Sequence, residues 1–221
     1  MALFFDRADA GRQLAACLLE YARGRDPIVL ALPRGGVPVA YEVAKALAAP
    51  LDVCVVRKLG VPGHEEVAMG AVASNGGYVI DESTLDVAGV TREAFNATLA
   101  REFAELKRRE IAYRGERPEP SLAGKTVILV DDGLATGASM YAAATALRER
   151  DPAAIAVAVP VAPAETCGAL RQVADRVICP NQPVYFGAVG LYYANFAQVG
   201  DDEVRRLLAR ADAERKQWKV A

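Results

Sequence analysis

Val127-Ile-Leu-Val-Asp-Asp-Gly-Leu-Ala-Thr-Gly-Ala-Ser-Met140 decides how the rest of the chain is read. Its four leading apolar residues are too few for a helical repeat and lie between Gly124 and Gly133, which predicts a short strand buried on both faces. Two carboxylates, Asp131 and Asp132, then stand at the carboxyl end of that strand. Beyond them a run of small residues leads directly into an alanine-rich segment, Tyr141 to Arg150, with helical composition. Backbone N–H groups at a helix start have no partner within the helix and favour an anion. The stretch therefore predicts a phosphate cradle formed by Ala135, Thr136, Gly137, Ala138 and Ser139, with two acids beside it. A ribose 5-phosphate suits both halves, because the amides and hydroxyls take the phosphate while Asp131 and Asp132 accept from vicinal ribose hydroxyls or face a Mg²⁺.

A lone Asp after a strand often does no more than start a turn. Two acids, a Thr-Gly loop and a helix start in one register ask for more. In this order they resemble the phosphoribosyl diphosphate signature of the type I phosphoribosyltransferases. The resemblance implies an α/β fold, a doubly wound and mostly parallel sheet, with a small hood and an elaborated lid. It also implies transfer of the 5-phosphoribosyl group from phosphoribosyl diphosphate to a nitrogen base with release of diphosphate, dependent on Mg²⁺ held at Asp131 and Asp132. A non-catalytic protein that binds phosphoribosyl diphosphate and regulates a partner is the alternative, because a fold does not establish turnover.

Two further stretches extend the resemblance. Ile28 to Leu32 is apolar and stops at Pro33-Arg34-Gly35-Gly36, after which Val37 to Ala48 reads as a helix with Pro38 in its first turn. Arg34, Gly35 and Gly36 match the family loop that binds diphosphate, in which the peptide between Pro33 and Arg34 is expected to be cis. Leu51 to Val56 is a third apolar run, read as another parallel strand ending in Arg57 and Lys58. Ligands of open α/β sheets gather at the carboxyl ends of strands, so both cations are expected on the edge that carries Arg34 and Asp131. Arg57-Lys58-Leu-Gly60-Val-Pro62-Gly63 is also similar to a stretch of adenine-type enzymes that leads into a flexible loop over the diphosphate. Hypoxanthine-type enzymes place an acid where this chain has Ala135. Adenine-type enzymes use a loop glutamate instead, so Glu65 or Glu66, with His64 beside them, are the candidates for the general base, and Lys58 joins them as a catalytic candidate.

Between that stretch and the central motif, Gly70 to Ala73 and Tyr78 to Ile80 flank Asn75-Gly76, a hairpin signal. Thr91 to Tyr113 has Phe95, Leu99, Phe103 and Leu106 at helical spacing, with Glu105 placed to pair with Arg109. Residues 59–120 are thus expected to form a lid or dimerisation arm. Lys107, Arg108, Arg109, Arg114 and Arg117 are either a solvated helix end or a group reaching toward diphosphate. Near the far end, residues 180–200 are expected as the hood, where Tyr185 or Phe186 could stack on a planar heterocycle. Asp201 is expected to cap a last helix with Val204, Leu207, Leu208 and Ala211 inward.

Composition sets the bounds. A chain of 221 residues with 52% hydrophobic content suits one domain with an ample core. With 26 basic and 28 acidic residues, the formal charge of −2 argues against nucleic acid as a partner, so an anion site has to be built locally. Cys17, Cys54, Cys167 and Cys179 are widely spaced and only His64 could assist them, which fits buried thiols in a reducing cytosol better than zinc or disulfides. Charge at Asp6 and Arg7 argues against a signal peptide, and no uninterrupted apolar stretch is long enough to span a bilayer. A cytoplasmic homodimer is expected.

Overall fold

The computed structural model describes residues 2–74, 77–115 and 117–218. The expected Asn75-Gly76 turn lies outside the described residues. The chain opens with α1 (Arg7–Ala22), whose first turn is capped by the Asp6 carboxylate on the Asp9 N–H. There follow β1 (Pro27–Ala31), α2 (Gly36–Ala46) and β2 (Leu51–Val53). β3 (Val56–Val61) runs into the segment expected as a lid, which holds β4 (His64–Ala73), β5 (Tyr78–Ile80), α3 (Glu82–Ala88) and the long α4 (Arg92–Arg114). Then come β6 (Thr126–Val130), α5 (Ala138–Leu147), β7 (Ala154–Ala158), α6 (Ala164–Leu170), β8 (Arg176–Ile178) and α7 (Asp201–Trp218).

Five strands form a parallel sheet in the order β2-β1-β6-β7-β8. Its strands are apolar throughout because both faces are covered. On one face Val29, Ala31, Ile128, Val130 and Ala156 pack with α1, α2 and α7. On the other, Ile28, Leu30, Val127, Leu129 and Ile155 pack with Met140, Ala143 and Leu147 of α5 and with α6. The fold is therefore a doubly wound α/β sheet.

β1 and β6 pair residue for residue from Pro27↔Thr126 to Ala31↔Val130, and the Leu32 N–H then donates to the Val130 carbonyl at 2.9 Å. Both strands stop at the same height. The loops that follow them leave the sheet from one edge.

The run Leu51 to Val56 is not one parallel strand, which corrects the expectation from its apolar composition. Only Leu51–Val53 pairs with β1, and Cys54 adds one bond to the Ala31 carbonyl. At Val55 the chain turns away, because its N–H and carbonyl both bond to Ser74, the N–H at 2.7 Å to the Ser74 hydroxyl. Val56 to Val61 then pairs antiparallel with β4, which pairs antiparallel with β5. Arg57 and Lys58 consequently belong to a second, three-stranded sheet and do not lie at the end of a parallel strand. A smaller difference concerns Asp201, which is the first residue of α7 and not the residue before it.

Candidate active site

The site grows from the matched ends of β1 and β6. Gly35 and Gly36 lie directly against the two acids: a Cβ on Gly35 would stand 2.1 Å from Asp132 Oδ2, and one on Gly36 would stand 2.7 Å from the Val130 carbonyl oxygen. No side chain fits there, so the sequence needs glycine at both positions. The Pro33–Arg34 peptide is cis, as the family resemblance implied. Arg34 and Asp131 share one sheet edge.

Asp131 Oδ1 accepts the Asp132 N–H at 2.8 Å. Burial, and secondarily the charge of Asp132, holds the Asp131 carboxyl well above the usual carboxylate range. Asp132 is also shifted upward by burial, but the Arg7 guanidinium opposes that shift. Arg7 Nε donates to Asp132 Oδ2 at 2.7 Å and Nη1 to the Ala197 carbonyl, while the guanidinium lies 3.8 Å from the centre of the Phe196 ring. The Asp132 carbonyl accepts from the Tyr193 hydroxyl at 2.5 Å. Arg7 lies on α1 and Tyr193 far along the chain, yet both reach the acid pair, Tyr193 through the Asp132 carbonyl. The pairing of Arg7 with Asp132 spans 125 residues, so no local pattern announces it.

The loop after the acids is held from below. The Leu134 N–H donates to the Val161 carbonyl, and the Thr166 hydroxyl donates to the Ala135 carbonyl at 2.7 Å. Gly137 has φ of +73° and caps α5, a conformation that glycine adopts without cost. Ala135, Thr136, Ala138 and Ser139 are exposed. Among the described residues nothing bonds the N–H groups of Ala135, Thr136 or Gly137, and that of Ala138 meets only the Thr136 hydroxyl at 3.5 Å. These donors are available to an anion.

Ala135 also lines an open cleft of about 1010 Å³ with Glu165, Gln182, Tyr185 and Phe186. Phe186 is stacked on Tyr192 with ring centres 5.3 Å apart, whereas Tyr185 is 93% exposed. The candidate stacking residues and the phosphate loop thus face one space. Glu165, which sequence reasoning passes over, is the acid on its wall.

The remaining candidates sit elsewhere. Arg57 is engaged by Glu102 of α4 at 2.5 and 2.9 Å, and Lys58 Nζ donates to the Glu66 carbonyl at 3.0 Å. Glu65, Glu66 and His64 occupy the exposed tip of the β3–β4 hairpin, with His64 Nδ1 3.7 Å from Glu66. Glu65, Arg57 and Lys58 line a separate cleft of about 280 Å³. The structure brings these three together, but not with the Thr136 loop.

Residues 5–195 match the family described as the phosphoribosyl transferase domain. The chain belongs to the phosphoribosyl transferase family. It is 44% identical over 211 residues to a Mycobacterium tuberculosis H37Rv protein provisionally named a phosphoribosyl transferase, covering 96% of this chain and 47% of that protein. A crystal structure of the protein TT1426 from Thermus thermophilus superimposes with a TM-score of 0.83 at 42% identity, covering 95% of this chain and 99% of that one. The chain spans about half the length of the curated relatives it matches.

Among the described residues no three His, Cys, Asp or Glu side chains cluster in a way that could hold a metal. Asp131 and Asp132 are adjacent carboxylates, the second already paired with Arg7, and would suit only a Mg²⁺ that arrives with diphosphate and keeps most of its ligands from phosphate and water. No described helix is long and apolar enough to cross a membrane.

Proposed function

We propose that this chain transfers the 5-phosphoribosyl group from phosphoribosyl diphosphate to a nitrogen base and releases diphosphate. The observation that carries the proposal is the seating of Gly35 and Gly36 on Asp132 and Asp131, which makes one continuous rim from Arg34 to the free amides of Ala135 to Gly137. The amides and the Thr136 and Ser139 hydroxyls would take the 5-phosphate, and Asp131 the ribose hydroxyls. Arg34 and the cis-peptide loop would take the diphosphate. Mg²⁺ held by Asp131 and Asp132 would supply charge neutralisation to the departing diphosphate. The base would enter the cleft between Ala135 and Phe186, where an aromatic face suits a planar ring.

Stabilising charge as it leaves C1 of the ribose requires donors that are already in place and a site shielded from water. Arg7, fixed by Asp132, Ala197 and Phe196, holds one carboxylate still. The β3–β4 hairpin with Lys58, Glu65 and Glu66 would close over the diphosphate and bring one of its acids to the base.

Incubation with labelled phosphoribosyl diphosphate, Mg²⁺ and a panel of nucleobases should yield a labelled nucleotide and diphosphate. Replacing both acids, Asp131→Asn with Asp132→Asn, should abolish that product while the chain stays folded. Binding of phosphoribosyl diphosphate without transfer to any base would assign the chain to ligand sensing. No binding at millimolar ligand would reject both.

A further inference from the structure

The basic end of α4 folds back to the loop that carries Arg34. Arg34, Arg108, Arg109, Tyr113 and Asp201 line one polar cleft of about 430 Å³. At its centre Asp201 Oδ1 accepts the Tyr113 hydroxyl at 2.8 Å and faces Arg34 Nη1 at 3.8 Å, beyond hydrogen-bond reach. Glu105 binds Arg108 through Nε and Nη2 and Arg109 through Nε alone. Among the described residues this leaves Arg108 Nη1, both Nη groups of Arg109 and the Arg34 guanidinium without a hydrogen-bond acceptor. Three guanidinium groups face two carboxylates, so these five charges sum to one positive charge. A planar fork with unused donors is matched to the oxygens of phosphate.

We propose that Arg34, Arg108 and Arg109 form a diphosphate subsite in which Asp201 stands as an internal anion until the ligand displaces it. The proposal rests on the phosphoribosyl reading above and adds to it the residues of α4 and α7. Arg34 belongs both to this cleft and to the loop whose glycines lie on the acid pair. A ligand anchored at Asp131 and at the Thr136 loop therefore meets the cleft through Arg34 with its second anionic group. Asp201 is already half exposed at the start of α7, where its carboxylate complements the helix dipole with or without Arg34.

The test is calorimetry with three ligands at one Mg²⁺ and salt concentration: phosphoribosyl diphosphate, inorganic diphosphate and ribose 5-phosphate. The double variant Arg108→Ala, Arg109→Ala should bind the first two about tenfold or more weakly, as expected when charge-assisted hydrogen bonds are lost, and ribose 5-phosphate unchanged. Asp201→Asn should bind inorganic diphosphate more tightly than the parent chain, since the competing anion is gone. Equal affinity of the double variant and the parent for diphosphate overturns the proposal, and so does a parallel loss of ribose 5-phosphate. Unchanged or weaker diphosphate binding by Asp201→Asn overturns the role of Asp201. Both arginines are exposed, and Arg109→Gln alone should show a smaller loss in the same ligand order if the double variant does not fold. A parent chain that binds none of the three ligands rejects the phosphoribosyl reading itself.

Discussion

At the scale of single residues, Arg7 is the side chain on which the acid pair depends. It and Asp132 are 11% and 13% exposed, and the guanidinium is the group that opposes the upward pull of burial on the Asp132 carboxyl. Arg7→Ala should therefore destabilise the chain by about 3–5 kcal/mol, the usual result of leaving one member of a buried ion pair alone. Urea unfolding at neutral pH measures this, and a loss below about 1 kcal/mol would show that water reaches Asp132. Asp131, Asp132 and the Thr136 loop are legible in the sequence because they are consecutive and each has a distinct chemical role. Arg34, Gly35 and Gly36 are nearly as legible, since two glycines after a strand limit what the backbone can be doing. Arg7 and Glu165 are not, because their meaning comes from a distant segment that no periodicity relates to them.

Among the elements, α4 shows how charge can be part of a buried helix face. Phe95 and Leu106 are buried as their spacing predicts, but so are Thr98, Glu102, Glu110 and Tyr113. Glu102 is neutralised by Arg57 of β3, and Arg114 at the end of the helix donates to Asp52 of β2 at 3.0 Å. Two ion pairs thus fasten α4 to both sheets. A hydrophobic stripe reads this helix incompletely because its partners lie in strands that sequence alone merges into one. Asp52 carries a testable pH effect. Burial raises its carboxyl above the ordinary 3.8 in spite of Arg114, with Arg117 adding a weaker downward pull. The folded chain therefore holds that proton more tightly than the unfolded chain does. Linkage makes the Asp52 contribution most favourable below pH 3.8 and lowers it as pH rises through the folded value. Unfolding free energies measured along a pH series should show the parent losing stability relative to Asp52→Asn across that window. A parent that gains stability relative to Asp52→Asn as pH rises would reverse the sign and show that Arg114 outweighs burial.

For the molecule as a whole, the two sheets divide the work and should differ in stability. The parallel sheet is buried along every residue of β6 and β7. In β4 the residues from His64 to Ala68 are exposed and precede the first pairing with β5 at Gly70. Amide exchange should be fast from residue 62 to residue 68 and slow in β1, β6 and β7, because few buried contacts oppose local opening of the hairpin tip. Equal protection in both would argue against a movable cover. The doubly wound sheet is legible from alternating apolar strands and helices. The second sheet is not, since Ser74 draws the chain out of the first by two hydrogen bonds that composition does not reveal. Phe4 bridges to Tyr193, and Arg7 reaches Ala197. Translation supplies Phe4 and Arg7 before these partners, and although Asp132 follows Arg7 by 125 residues, the bond to Ala197 waits for some 190. The acid pair can be synthesised, and its strand buried, while the brace around it is still missing. During translation the binding rim is therefore among the last parts of the fold to be finished, and a nascent chain arrested before Tyr193 holds a core without a completed site.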